Sequence, residues 1–156
     1  MPVKPRLLRC ALATACLLVH GCGVVDNGAV ELSWTFRPAS SALPDKFVGC
    51  NANEAPGTHP VAAIELAWDV DGHKGSRQWP CVSSTGATQF ELPVGQAVLT
   101  VVPVCSGEIP LDPASFIAPA PYQRQVSTGD IVSLGAIEIV LQVSSCTQQP
   151  CICHDP

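Results

Sequence analysis

The sequence predicts an all-β protein, an antiparallel β-sandwich of seven or eight strands, and three observations carry that prediction. Apolar and polar residues alternate with period two in several segments, which is the pattern of strands with one buried face. No segment sustains the three-and-a-half residue period of an amphipathic helix. Glycine- and proline-containing turn sequences fall between the alternating runs, at the spacing expected of short strands in a sandwich.

The first strand is expected over residues 30–36, with Val30, Leu32, Trp34 and Phe36 on one face and Glu31, Ser33 and Thr35 on the other. The second runs over residues 62–70, pointing Ile64, Leu66, Trp68 and Val70 inward and Glu65 and Asp69 outward. Asp71-Gly72 supplies a tight turn, because glycine accepts positive φ at no steric cost. The return strand is expected over residues 76–82 and presents Trp79 and Cys81. Further strands are expected over residues 88–92, 97–105, 122–127, 131–134 and 136–143, separated by turns such as Pro93-Val94-Gly95 and Thr128-Gly129-Asp130. Residues 106–121 contain Pro110, Pro113, Pro119 and Pro121 and read as an extended loop across an edge or one end, since proline cannot donate to a ladder.

The N-terminus carries an address. Met1–Arg9 holds Lys4, Arg6 and Arg9 with no acidic residue, and an apolar run follows from Cys10 to Val19. A basic head, a short apolar core and small residues at its foot make a secretory signal peptide. The apolar run is about half the roughly 20 residues that a membrane-spanning helix needs. Val19-His20-Gly21-Cys22 resembles the lipobox of bacterial lipoproteins. That resemblance implies cleavage before Cys22, acylation of its thiol and new amino group, and anchorage to a membrane of the bacterial envelope. Two other readings compete: cleavage after Ala13-Thr14-Ala15 with release as a soluble protein, and an uncleaved anchor. Each buried methylene contributes about 0.8 kcal/mol, so the two or three chains implied by the resemblance form a lasting anchor. Gly23 stands where the family places Asp for inner-membrane retention, so the outer membrane is the expected destination.

The chain then divides into a signal peptide at residues 1–21, a lipidated cysteine and short tether at 22–27, a β-sandwich domain at 28–143 and a Cys-rich tail at 144–156. Without the signal, 135 residues remain, enough for one domain with a real core. They carry five Lys and Arg against thirteen Asp and Glu, a formal charge of −8. Such a domain is repelled by phosphate backbones, which argues against nucleic acid as a partner, and by anionic headgroups. No run of like charges occurs, so the acidity reads as a solvated surface.

Six cysteines lie beyond the anchor: Cys50, Cys81, Cys105, Cys146, Cys151 and Cys153. An even number in an exported chain points to disulfides, and six allow fifteen pairings. Cys50–Cys81 is the favoured pair, with the others pinning the tail to the strand that ends at Cys105.

A second resemblance rests on Phe90-Glu91-Leu92-Pro93-Val94-Gly95-Gln96-Ala97-Val98-Leu99-Thr100-Val101 and on the turn Gly129-Asp130-Ile131-Val132-Ser133-Leu134-Gly135. These elements, with Trp34, Cys50, Trp68 and Cys81 ahead of them, look like prealbumin-like and carboxypeptidase-regulatory-like sandwiches, and the layout resembles small myxobacterial lipoproteins. The resemblance implies a sandwich, within the Ig-like and prealbumin-like group of folds, and no catalytic residues.

Three patterns bear on chemistry. Cys151, Cys153 and His154 bring two thiols and an imidazole together, a soft-metal donor set for copper(I) or zinc, against which stands the structural disulfide usual in exported tails. Asp69-Val70-Asp71-Gly72-His73 opens like a calcium loop, but Lys74, Gly75, Ser76 and Arg77 do not complete one, so a hairpin turn is the better reading. Trp79, flanked by Gln78 and Pro80, is the tryptophan expected at an edge and the candidate for stacking on a sugar ring; Trp34 and Trp68 belong to the core. No nucleophile motif of the G-x-S-x-G kind is present. The expected role is therefore a non-catalytic structural or interaction role without a cofactor, partnered by the membrane and by an envelope protein. Binding of a polysaccharide or peptidoglycan is the alternative, and metal binding by the tail a second one.

Overall fold

Ile64, Leu66 and Val70 alternate with Glu65, Ala67 and Asp69 and are fully shielded from solvent, so the period-two pattern does place one face of this strand inside. The computed structural model describes residues 25–38, 50, 61–107, 111, 113, 116–141 and 153. Among them the strands are β1 (Ala29–Pro38), β2 (Val61–Val70), β3 (His73–Pro80), β4 (Thr85–Ala87), β5 (Gly95–Cys105), β6 (Phe116–Ile117), β7 (Tyr122–Val126) and β8 (Ile131–Leu141). One sheet has the order β4-β1-β8-β6 and the other β3-β2-β5-β7. They pack face to face as a β-sandwich, the architecture predicted.

The core lies between the sheets. Val30, Leu32 and Trp34 from β1 and Ile137 and Ile139 from β8 meet Ile64, Leu66 and Val70 from β2 and Leu99 and Val101 from β5 in one continuous cluster. Burying an aliphatic side chain of this size contributes about 1.5–3 kcal/mol, which makes this cluster the main source of stability.

Beyond the short strand β6, which pairs with β8 inside the segment read as an extended loop, four features depart from the sequence reading. First, the sandwich is not wholly antiparallel: β1 and β8 pair in parallel, with Val30 beside Val132 and Trp34 beside Ile137. Alternation reveals which face a residue takes but not the direction of a neighbour more than a hundred residues away in sequence. Second, residues 131–134 and 136–143, read as separate strands, contribute to one strand with a bulge. Glu31 faces Ser133 while Ser33 faces Ala136, so one residue of β1 spans two of β8. Gly135 takes up the extra residue at φ +70°. The bulge explains why Leu134 and Ile137 both point inward although three positions separate them.

Third, residues 88–92 do not form a strand. The Thr88 N–H donates to Val30 O and the Thr88 hydroxyl accepts from Val30 N at 2.8 Å, so its side chain occupies the place of the next ladder carbonyl. The chain then arcs away and returns only at Leu92, which exchanges two backbone bonds with Gly28. Fourth, β3 begins and ends earlier than expected, because Cys81–Ser83 forms a 3-10 turn closed by Ser84 at φ +56°. The turn at Asp71-Gly72 is a hairpin as predicted, with the Asp69 carboxylate accepting from Gly72 N at 2.9 Å. Pro103 sits inside β5 without disrupting it, beyond Leu99, the last β5 residue paired with β7.

Candidate functional site

The described strands define two unlike poles, with an open cleft beside the outer face of one sheet. At the first pole lie the starts of β1, β5 and β8, the β2–β3 hairpin and the turn between β7 and β8. The N-terminal segment is fixed here: Asn27 O accepts from Gly129 N at 3.0 Å and Gly28 is bonded to Leu92. A Cβ on Gly28 would lie 2.4 Å from Val126 Cγ1 and 2.9 Å from Ser127 O, so only glycine lets the chain pass between β7 and the Leu92 segment.

Both disulfides lie toward the opposite pole. Cys50 is bonded to Cys81 just past the end of β3, and Cys105, the last residue of β5, is bonded to Cys153 of the tail. The first is the pair favoured from sequence, and the second ties the tail to the strand that was expected to receive it. Cys81 and Cys153 are almost completely buried. The sulfur of Cys153 is committed to Cys105, which removes it from the soft-metal donor set proposed with Cys151 and His154, since a disulfide sulfur is not a thiolate. Cys151, His154 and Cys146 lie outside the described residues, as do Cys22 and the signal peptide. Among the described residues no three His, Cys, Asp or Glu side chains converge as metal ligands, and no helix is long and apolar enough to cross a membrane.

Trp79 does stand on an edge strand, β3, but it is not an exposed platform. Its position opposite Ile64 turns the ring toward the interior, 6.4 Å from the ring of Trp34 and directly beneath Gly86 of β4. A Cβ at Gly86 would fall 2.4 Å from the indole. Trp34 in turn donates from Nε1 to Cys81 O at 2.9 Å. The side of the sandwich between β3 and β4 is closed by this tryptophan pair and by Arg77, which grips Glu91 of the arcing segment through two bonds of 3.0 and 3.2 Å. Both partners are about one-third exposed, so solvent screens the pair and its worth is under about 1 kcal/mol.

Beside this closure lies a cleft of about 560 Å³ lined by Glu31, Ser33, Trp79, Thr85, Gly86 and Ser133, with Leu32, Ala87, Gly135 and Ala136 completing its surface. The register explains the hollow. Ala87, Glu31 and Ser133 form one row across β4, β1 and β8, and Thr85, Ser33 and Ala136 form the next. Only Glu31 in these rows has a long side chain. Carboxylates elsewhere on the strands are engaged, Glu138 by Arg37, Glu65 by Gln78 and Asp69 by Lys74, whereas Glu31 has no hydrogen-bond or ion-pair partner among the described residues. Sequence reading found Trp79 but missed the cleft, because its small residues come from three strands far apart in the chain.

No protein family matches the chain, and no curated protein and no solved structure matches it.

Proposed function

We propose that the protein is a lipid-anchored component of a bacterial envelope, held by acylated Cys22, with a structural or interaction role and no catalysis. The observation that carries the reading is sequence-borne: a basic head, a short apolar core and Gly21-Cys22 stand immediately before a folded domain in which Asn27 and Gly28 are already hydrogen-bonded. The two disulfides support an exported location, since such bonds persist in oxidising compartments. The outer membrane is the proposed destination. The closeness of the tether to the fold supports a domain working at the bilayer with other envelope proteins. The likeness to prealbumin-like sandwiches and to small myxobacterial lipoproteins belongs to this reading, supported by the two four-stranded sheets.

In intact cells the wild-type chain is expected in the membrane fraction and Cys22→Ser in the soluble fraction, because the variant lacks acyl chains and no helix among the described residues is long and apolar enough to cross a membrane. A Cys22→Ser chain that still pelleted with membranes would contradict the anchor.

The cleft favours a second reading, a carbohydrate- or peptidoglycan-binding module. It combines an indole with hydroxyls and the Glu31 carboxylate, which has no partner among the described residues, groups suited to a sugar's apolar face and polar rim. If so, soluble polysaccharides or peptidoglycan fragments bind wild type, and both Trp79→Ala and the cleft-filling Ser133→Tyr abolish binding. Because Trp79 also packs on Trp34, Ser133→Tyr at an exposed position keeps the test independent of the core. Absence of binding across the panel counts against this reading.

A further inference from the structure

The two poles are not equivalent with respect to the tether. Five peptide steps separate Cys22 from Asn27, a reach of about 17 Å when fully extended. Asn27 is bonded into the turn between β7 and β8, so the attachment point is fixed at the first pole. β1 leads from there toward the disulfide-bearing end, and ten residues at about 3.3 Å each place that end roughly 30 Å away. An inverted domain, with the disulfide pole against the bilayer, would need the tether to span about twice its reach.

Reach alone permits the domain to stand on its first pole or to lie on one side. The surface at the first pole favours standing. Val25, Val94 and Ile131, at 40%, 48% and 54% exposure, lie respectively in the tether, beside the start of β5 and at the start of β8. Asp26, Asp71 and Asp130 share this pole, which disfavours anionic headgroups and leaves a zwitterionic surface as the better partner. Other exposed apolar residues, such as Val82 and Ile117, lie toward the opposite pole, so the tether geometry carries more weight than the apolar count.

We propose that the pole bearing Val25, Val94 and Ile131 rests on a zwitterionic lipid surface, and that the disulfide-pinned pole is the end displayed to other envelope components. The proposal rests on acylation at Cys22. Its test is backbone hydrogen exchange on the full-length acylated protein bound to phosphatidylcholine vesicles, compared with soluble Cys22→Ser protein. The expected result is a severalfold slowing in residues 71–72, 94 and 127–130, with residues 81–84 and 106–107 unchanged. Vesicles enriched in phosphatidylglycerol are expected to give weaker protection at the same turns. Protection along one sheet face or at the disulfide pole, or none in a chain that floats with the vesicles, overturns the orientation alone. A chain that carries no acyl group and does not float overturns both the orientation and the anchor.

Discussion

Replacing the disulfide pairs with alanine is expected to lower stability by about 3–4 kcal/mol for each pair removed. The sulfurs of Cys50 and Cys81 close a loop with a sequence separation of 31, and those of Cys105 and Cys153 one of 48. A cross-link of this span removes chain entropy from the unfolded ensemble, and the logarithmic dependence makes the two contributions nearly equal. Together they are comparable with the whole 5–15 kcal/mol by which a domain of this kind is typically stable. Urea unfolding of Cys50→Ala/Cys81→Ala and of Cys105→Ala/Cys153→Ala should each show a clearly lowered midpoint. The four-alanine variant should be largely unfolded or close to it. An unchanged midpoint in both paired variants would mean that the sandwich core is sufficient without its pins.

Trp34→Ala is expected to cost about 3–5 kcal/mol, the range for truncating a large aromatic side chain in a packed core. Trp34 is 2% exposed, fills the space between the sheets and packs near Trp79. Its indole N–H also holds Cys81 O, the carbonyl of the residue that anchors the first disulfide. Trp34→Phe separates these roles. It keeps most of the ring volume but leaves the Cys81 carbonyl without this donor, for a loss of about 1–3 kcal/mol. Calorimetry or urea titration should therefore rank wild type, Trp34→Phe and Trp34→Ala in that order. Equal stability of wild type and Trp34→Phe would remove the hydrogen bond from the account and leave packing alone.

Much of the fold was readable in the chain because burial has a period in a strand. Val30, Leu32 and Trp34, then Ile64, Leu66, Trp68 and Val70, then Ala97, Leu99 and Val101, announce inward faces that the packed sheets use. What failed did so for identifiable reasons. Thr88, Phe90 and Leu92 carry the alternation of a strand, yet a hydroxyl replaces a backbone partner at Thr88 and the segment bows outward, leaving Phe90 40% exposed. Gly135 looked like a break between strands, whereas its freedom at positive φ allows one strand to continue through a bulge. The parallel pairing of β1 with β8 joins the two ends of the domain, and no local signal specifies such a partner.

The site was legible in a different proportion. Cysteine parity and position led to Cys50–Cys81, and Gln78-Trp79-Pro80 led to the edge strand. Neither could reveal that Gly86 covers the Trp79 ring, because that contact joins opposite sheets. The soft-metal set at the tail was plausible as spacing but depended on a thiolate at Cys153, and its partner Cys105 lies 48 residues away. The hollow around Glu31 arises from what is missing, side chains longer than Ser, Thr or Ala on three adjacent strands, and such an absence acquires a location only once the strands are in register.

The central claim is that this sandwich is exported and held at its first pole through Cys22. Intact mass spectrometry of the mature protein extracted from cells tests it most directly. The account predicts a chain that begins at Cys22 and carries the added mass of two or three acyl groups on that residue. A mature chain beginning at Cys16, or one beginning at Cys22 without added lipid, would contradict it.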